Sequence, residues 1–159
     1  MGLDMYLNAR RYLWSYDDEE AKTAHAITEM FPELFAFADG DRGSSGGIKT
    51  LTAEIGYWRK ANAIHQWFVD NVQEGKDDCG DYYVDPEQLE KLLGVINTIL
   101  ADTSKAPELL PTASGFFFGG QEYNEWYWQD VEYTKELLEK LLKNKESMKH
   151  WEIYYHSSW

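Results

Sequence analysis

Three stretches of this chain alternate apolar and polar residues with the period of a half-buried strand, and they lie far apart in sequence. Leu3, Met5 and Leu7 alternate with Asp4, Tyr6 and Asn8, in a strand read as running to about Leu13. Leu51, Ala53, Ile55 and Tyr57 share one face of a strand over 48–57, and Trp151, Ile153 and Tyr155 share one face of 151–159. Backbone donors and acceptors in a small protein must be paired, so the three strands are expected in one sheet.

Helical patterns fill the intervals. Asp17–Met30 reads as a helix whose acidic start, Asp17, Asp18, Glu19 and Glu20, suits the positive end of the helix dipole. Pro32 ends it. A second helix is expected from about Trp58 to Gln73. A third opens on Asp85 as N-cap, Pro86 at the first position and Gln88 at the third, and carries an apolar stripe of Leu89, Leu92, Leu93, Ile96, Ile99 and Leu100. The last long helix spans about 123–143, with Tyr127, Val131, Thr134, Leu138 and Leu141 facing inward. Asp39–Gly47 reads as a flexible, dispensable loop, and 103–120 as a loop punctuated by Pro107, Pro111, Gly115, Gly119 and Gly120. This order predicts one α+β domain over 1–159, a small, mostly antiparallel sheet covered by about four helices.

At 18.5 kDa the chain is long enough to bury a core. Its formal charge of −13 opposes nucleic-acid polymers and anionic membranes. No apolar run approaches the roughly 20 residues of a membrane helix, and no signal-peptide pattern opens the sequence. Met1-Gly2 begins like a myristoylation signal, but Tyr6 stands where Ser or Thr is needed. The single cysteine, Cys79, cannot form an internal disulfide and fits a reducing cytosol.

What the core does not require is the aromatic content: 7 Trp, 11 Tyr and 7 Phe in 159 residues. Buried Tyr and Trp need polar partners, so this surplus points to a ligand-lined pocket or an interface. The candidate ligand-binding residues are Trp58, Arg59, Lys60, Asn62, His65, Trp126 and Trp128. With 58–73 read as helix, Arg59, Asn62 and Gln66 share a polar face, while Trp58, Ala61, His65, Phe68 and Val72 share another. Cations near a helix N-terminus, an amide and flanking indoles suit an anionic aromatic ligand such as a nucleotide. The acidic surface does not forbid it, because charge is screened over about 8 Å at physiological salt. Trp128 falls outside the inward stripe of its helix, which implies a contact with a ligand, another chain or an overlying loop.

Catalytic motifs are missing. His25, His65, His150 and His156 lack metal-ligand spacing, and neither a phosphate loop nor a GxSxG elbow occurs. Glu125 and Asp130 are five apart and point away from each other. Asp77, Asp78 and Asp81 lack the full calcium-loop pattern, and Cys79 has no cationic neighbour to activate it. No catalytic residue, metal site or cofactor is assigned, and the sequence leans against an enzyme.

Several segments together carry a resemblance: MGLDMYL (1–7), EIGYWRKANAIH (54–65), Asp77-Asp78-Cys79, LLPT (109–112), SGFFFG (114–119), Glu122-Tyr123, EWYW (125–128), Tyr154-Tyr155 and Ser157-Ser158-Trp159. The pattern resembles a family of small bacteriophage and prophage proteins without an established activity. Some members are labelled phosphoglycerate kinase, which this length and the missing nucleotide loop do not support. The resemblance implies an accessory, counter-defence role in the cytoplasm of a host bacterium. The leading expectation is a protein that binds and sequesters a small nucleotide-like ligand. An acidic, protein-binding inhibitor of a host factor is the alternative, motivated by the charge. A small hydrolase or transferase using His65 as base is a third. A homo-oligomer is left open.

Overall fold

The computed structural model describes residues 2–35, 47–115 and 118–159. Most of the Asp39–Gly47 stretch, and Phe116 and Phe117, lie outside the described residues. The chain is α+β, with strands β1 (Asp4–Tyr12), β2 (Thr50–Arg59), β3 (Asp81–Val84) and β4 (Glu152–Ser158) in one antiparallel sheet ordered β2-β1-β4-β3. The three strands expected to share a sheet do share it. The described chain falls into two compact units, 1–9 with 54–159, and 10–53.

The smaller unit carries α1 (Asp18–Met30) and the short α2 (Pro32–Phe35). Asp17 caps α1 by accepting from the amides of Glu19 and Glu20. Glu20 turns back to Arg11 at 2.6 Å and accepts the Trp14 amide at 2.9 Å, which together hold its carboxyl below the usual range. Two of the four acids at the start of α1, Asp17 and Glu20, are thus engaged in capping and an ion pair.

The larger unit holds α3 (Asn62–Asn71), α4 (Pro86–Ala101), α5 (Ala106–Leu109), α6 (Glu125–Lys143) and α7 (Lys145–Met148). Its core packs the inward residues of the sheet against α3, α4 and α6. Leu3, Met5 and Leu7 are fully buried, alternating with half-exposed neighbours. The β3–β4 register sets Val84 opposite Ile153, so two buried aliphatic residues share the inner face. Tyr155 stacks on Phe68 with ring centroids 4.1 Å apart and planes 6° from parallel. The capping box of α4 forms as read from Asp85 and Gln88, and Leu89, Leu92, Ile96 and Ile99 are buried along its stripe.

Strand β2 differs from its sequence reading in face and in length. Gly56 and Trp58 are its buried positions in this unit, whereas Tyr57 is 41% exposed. Helix α6 crosses close over the strand at Gly56, where a Cβ would come 2.5 Å from Leu137 Cδ2. The strand also runs on through Trp58 and Arg59, so the following helix begins at Asn62 rather than near Trp58. Among the described residues no helix is long and apolar enough to cross a membrane.

Candidate functional site

Where β2 meets α3, three residues make a sharp corner. The Lys60 amide completes the strand pairing by donating to Leu3 O at 2.8 Å. Lys60 itself adopts a left-handed conformation, φ 61°, which costs a residue with a Cβ about 1–2 kcal/mol. Ala61, at φ −76° and ψ 67°, forms an inverse γ-turn, closed by Asn62 N donating to Lys60 O at 2.9 Å. Ala61 has no side chain able to cap a helix, and the first helical bond is His65 N to Ala61 O. Among the described residues no acceptor meets the amides of Ala63 and Ile64. Both amides belong to the positive end of α3.

Ala63 and Ile64 line a cavity of about 340 Å³. Arg59 and Lys60 line the same side. The Arg59 guanidinium sits 3.8 Å from Asp4, to which Tyr57 also donates its hydroxyl. Asp4 beside it raises the Tyr57 phenol. No described carboxylate comes within ion-pair distance of Lys60.

The facing wall is α6. Asn124 caps it, accepting the amides of Trp126 and Tyr127 at 3.1 and 3.4 Å. Tyr127 donates its hydroxyl to Leu110 O at 2.9 Å, and burial pushes its phenol well up. Trp126 is 72% exposed at the cavity rim. One turn further on, the Asp130 carboxylate also lines the cavity. No donor among the described residues reaches it, and burial pushes it from its ordinary 3.8 up to about 6.

The remaining wall is the loop before α6, and Asn62 holds it in place. Its Nδ2 donates to Phe118 O at 3.0 Å and to Gly120 O at 2.8 Å, while its Oδ1 accepts the Ala113 amide at 3.0 Å. Gly119, at φ 89°, lets the loop close on Lys60, since a Cβ there would lie 3.3 Å from the Lys60 Cβ.

Of the residues singled out in the sequence, Arg59, Lys60, Asn62 and Trp126 therefore line one cavity. Trp58, His65 and Trp128 lie elsewhere. Trp58 is a core residue on β2 whose indole donates to Thr134 Oγ1 at 2.8 Å. Trp128 is half-buried and packs edge-on against Tyr127, ring centroids 4.9 Å apart. His65 is fully buried: Nδ1 lies 2.7 Å from Tyr155 Oη and Nε2 3.0 Å from Asp77 Oδ2. Because a carboxylate only accepts, Nε2–H faces Asp77 and Nδ1 accepts the Tyr155 hydroxyl. Neither nitrogen is offered to a substrate.

The three aspartates near Cys79 do not converge. Asp77 is shared by His65 and Trp159, and Asp78 accepts from Tyr82 and the Gly80 amide. Among the described residues no group of three or more His, Cys, Asp or Glu is arranged for a metal.

The site residues missed from sequence are Asp130 and the Ala63 and Ile64 amides. Asp130 was legible in principle, because it follows Trp126 by four residues and so shares its helix face. A pH dependence follows from its raised pKa. The folded state favours the protonated acid, so this stabilising contribution is complete below about pH 4 and is lost as pH rises through 6. Urea unfolding at pH 4.5 and pH 7 is expected to show Asp130→Asn gaining stability over the parent at pH 7 and little at pH 4.5. An equal effect at both values would mean the carboxylate is not desolvated. Protein-family models, curated proteins and solved structures contain no match to this chain.

Proposed function

We propose that the cavity between α3 and α6 binds a small nucleotide-like ligand, its phosphate at Lys60 and the α3 amides and its base against Trp126. The observation that carries this reading is the polarity of the cavity. Among the described residues, one wall presents two backbone amides and an ammonium that meet no acceptor or carboxylate, the preferred surroundings of an anionic oxygen. The other presents an exposed indole, the preferred surroundings of a planar base. A cavity of about 340 Å³ lies at the small end of ligand pockets, which matches one nucleotide rather than two. Strain at Lys60 supports the same reading, because a left-handed residue that also projects a charge into a cavity is typical of a binding clamp. In the setting implied by the resemblance to phage proteins, such binding acts by sequestration: the protein holds the ligand and withdraws it from the host cytosol.

Lys60→Gly is the direct test, because glycine removes the ammonium while relieving the backbone. Its melting temperature is expected to equal or exceed that of the parent. Its affinity for nucleoside monophosphates, by calorimetry, is expected to fall by about 1.5–3 kcal/mol, the worth of a hydrogen bond to a charged group. Arg59→Ala is expected to weaken binding less, because Asp4 already holds that guanidinium. Unchanged affinity in Lys60→Gly would remove the phosphate assignment.

A further inference from the structure

We infer that Asp130 selects the base, and that the base it selects is guanine. This rests on the nucleotide reading of the same cavity. Trp126 and Asp130 lie four residues apart on α6, which places their Cβ atoms about 5–6 Å apart on one face. A base lying on the Trp126 indole therefore turns its edge along the helix toward the Asp130 carboxylate.

The carboxylate presents two acceptor oxygens side by side and no donor. Guanine presents two parallel donors, N1–H and the 2-amino group, on one edge. Adenine and cytosine set an acceptor beside their amino donor, so one carboxylate oxygen would face a lone pair. Uracil offers a single donor flanked by two carbonyls. Only guanine engages both oxygens.

The carboxylate is available for this contact. Among the described residues it has no hydrogen-bond donor, Arg59 is turned to Asp4, and Tyr127 beside it spends its hydroxyl on Leu110 O. Glu122, also on the cavity lining, adds a second acid and no donor. An unpartnered carboxylate held partly out of water is costly to the fold. A pair of ligand donors would remove that cost.

The test is calorimetric titration of the full chain at pH 8, where Asp130 is ionised, with guanosine, inosine and adenosine monophosphates. Inosine monophosphate differs from the guanosine compound only in lacking the 2-amino group. The guanosine compound is expected to bind about 10- to 100-fold more tightly than either of the others, the discrimination usual for one bidentate contact. Asp130→Asn, with a melting temperature equal to or above the parent's, is expected to lose that preference while still binding all three. Equal affinities in the parent, or a preference that survives in Asp130→Asn, would overturn the base assignment and leave the nucleotide reading standing. Failure of all three to bind would overturn both.

Discussion

Replacing His65 by alanine is expected to destabilise the protein by about 3–5 kcal/mol, in the range of a large-to-small core substitution with buried polar groups left unpaired. The imidazole is fully buried, with Phe118 edge-on at 5.0 Å. Its removal leaves a void between α3 and β4 and strips the Tyr155 hydroxyl of its acceptor. That hydroxyl cannot escape by ionising, because burial drives its pKa well above the normal range. Asp77 loses the ring N–H but keeps the Trp159 indole, so its loss is smaller. Tyr155→Phe, which keeps the Phe68 stack and orphans only one imidazole nitrogen, is expected to cost about 1–3 kcal/mol. Urea unfolding measures both. A His65→Ala protein of parental stability that no longer binds nucleotide would make His65 a ligand residue instead of a core one.

Asn62→Ala is expected to lose about 2–4 kcal/mol, since three backbone groups would lose their partner at once and each is worth about 1 kcal/mol net, more if it stays buried. Phe118 O, Gly120 O and the Ala113 amide are all held by this one side chain, which is itself 5% exposed. The loop they belong to forms a wall of the cavity, so affinity is expected to fall with stability. Lys60→Gly, by contrast, separates the two. Hydrogen exchange at the Ala113 amide reports the staple directly and is expected to accelerate in Asn62→Ala. Protection unchanged from the parent would show that the loop is held by other contacts.

What was legible in the sequence was what neighbouring residues decide among themselves. The alternation in β1 and β4 and the capping box of α4 depend on residues a few positions apart, and they formed as read. The passage from β2 to α3 was not legible, because it turns on a left-handed residue, and Lys60 carries none of the signal that glycine would give. Once Trp58 and Arg59 belong to a strand, the helical faces drawn through them dissolve: Trp58 goes to the core and Arg59 to the cavity side. Asn62 reads in the sequence as a polar group on a helix face, yet its partners lie 51 to 58 residues further along the chain. The off-stripe Trp128 found a bland explanation in its neighbour Tyr127. Asp130 pairs in helix geometry not with Glu125, five residues away, but with Trp126, four residues before it.

In the proposed site an anionic group docks on the N-terminus of α3 while a base covers Trp126. Amide NMR of the full, isotopically labelled chain titrated with guanosine monophosphate tests both halves in one experiment. The Ala63 and Ile64 amides and the Trp126 indole N–H are expected to shift together with a single saturation curve, and inorganic phosphate is expected to move the two amides without the indole. Saturating nucleotide that leaves the Ala63 and Ile64 amides in place, or moves resonances only outside the cavity, would contradict the proposed site.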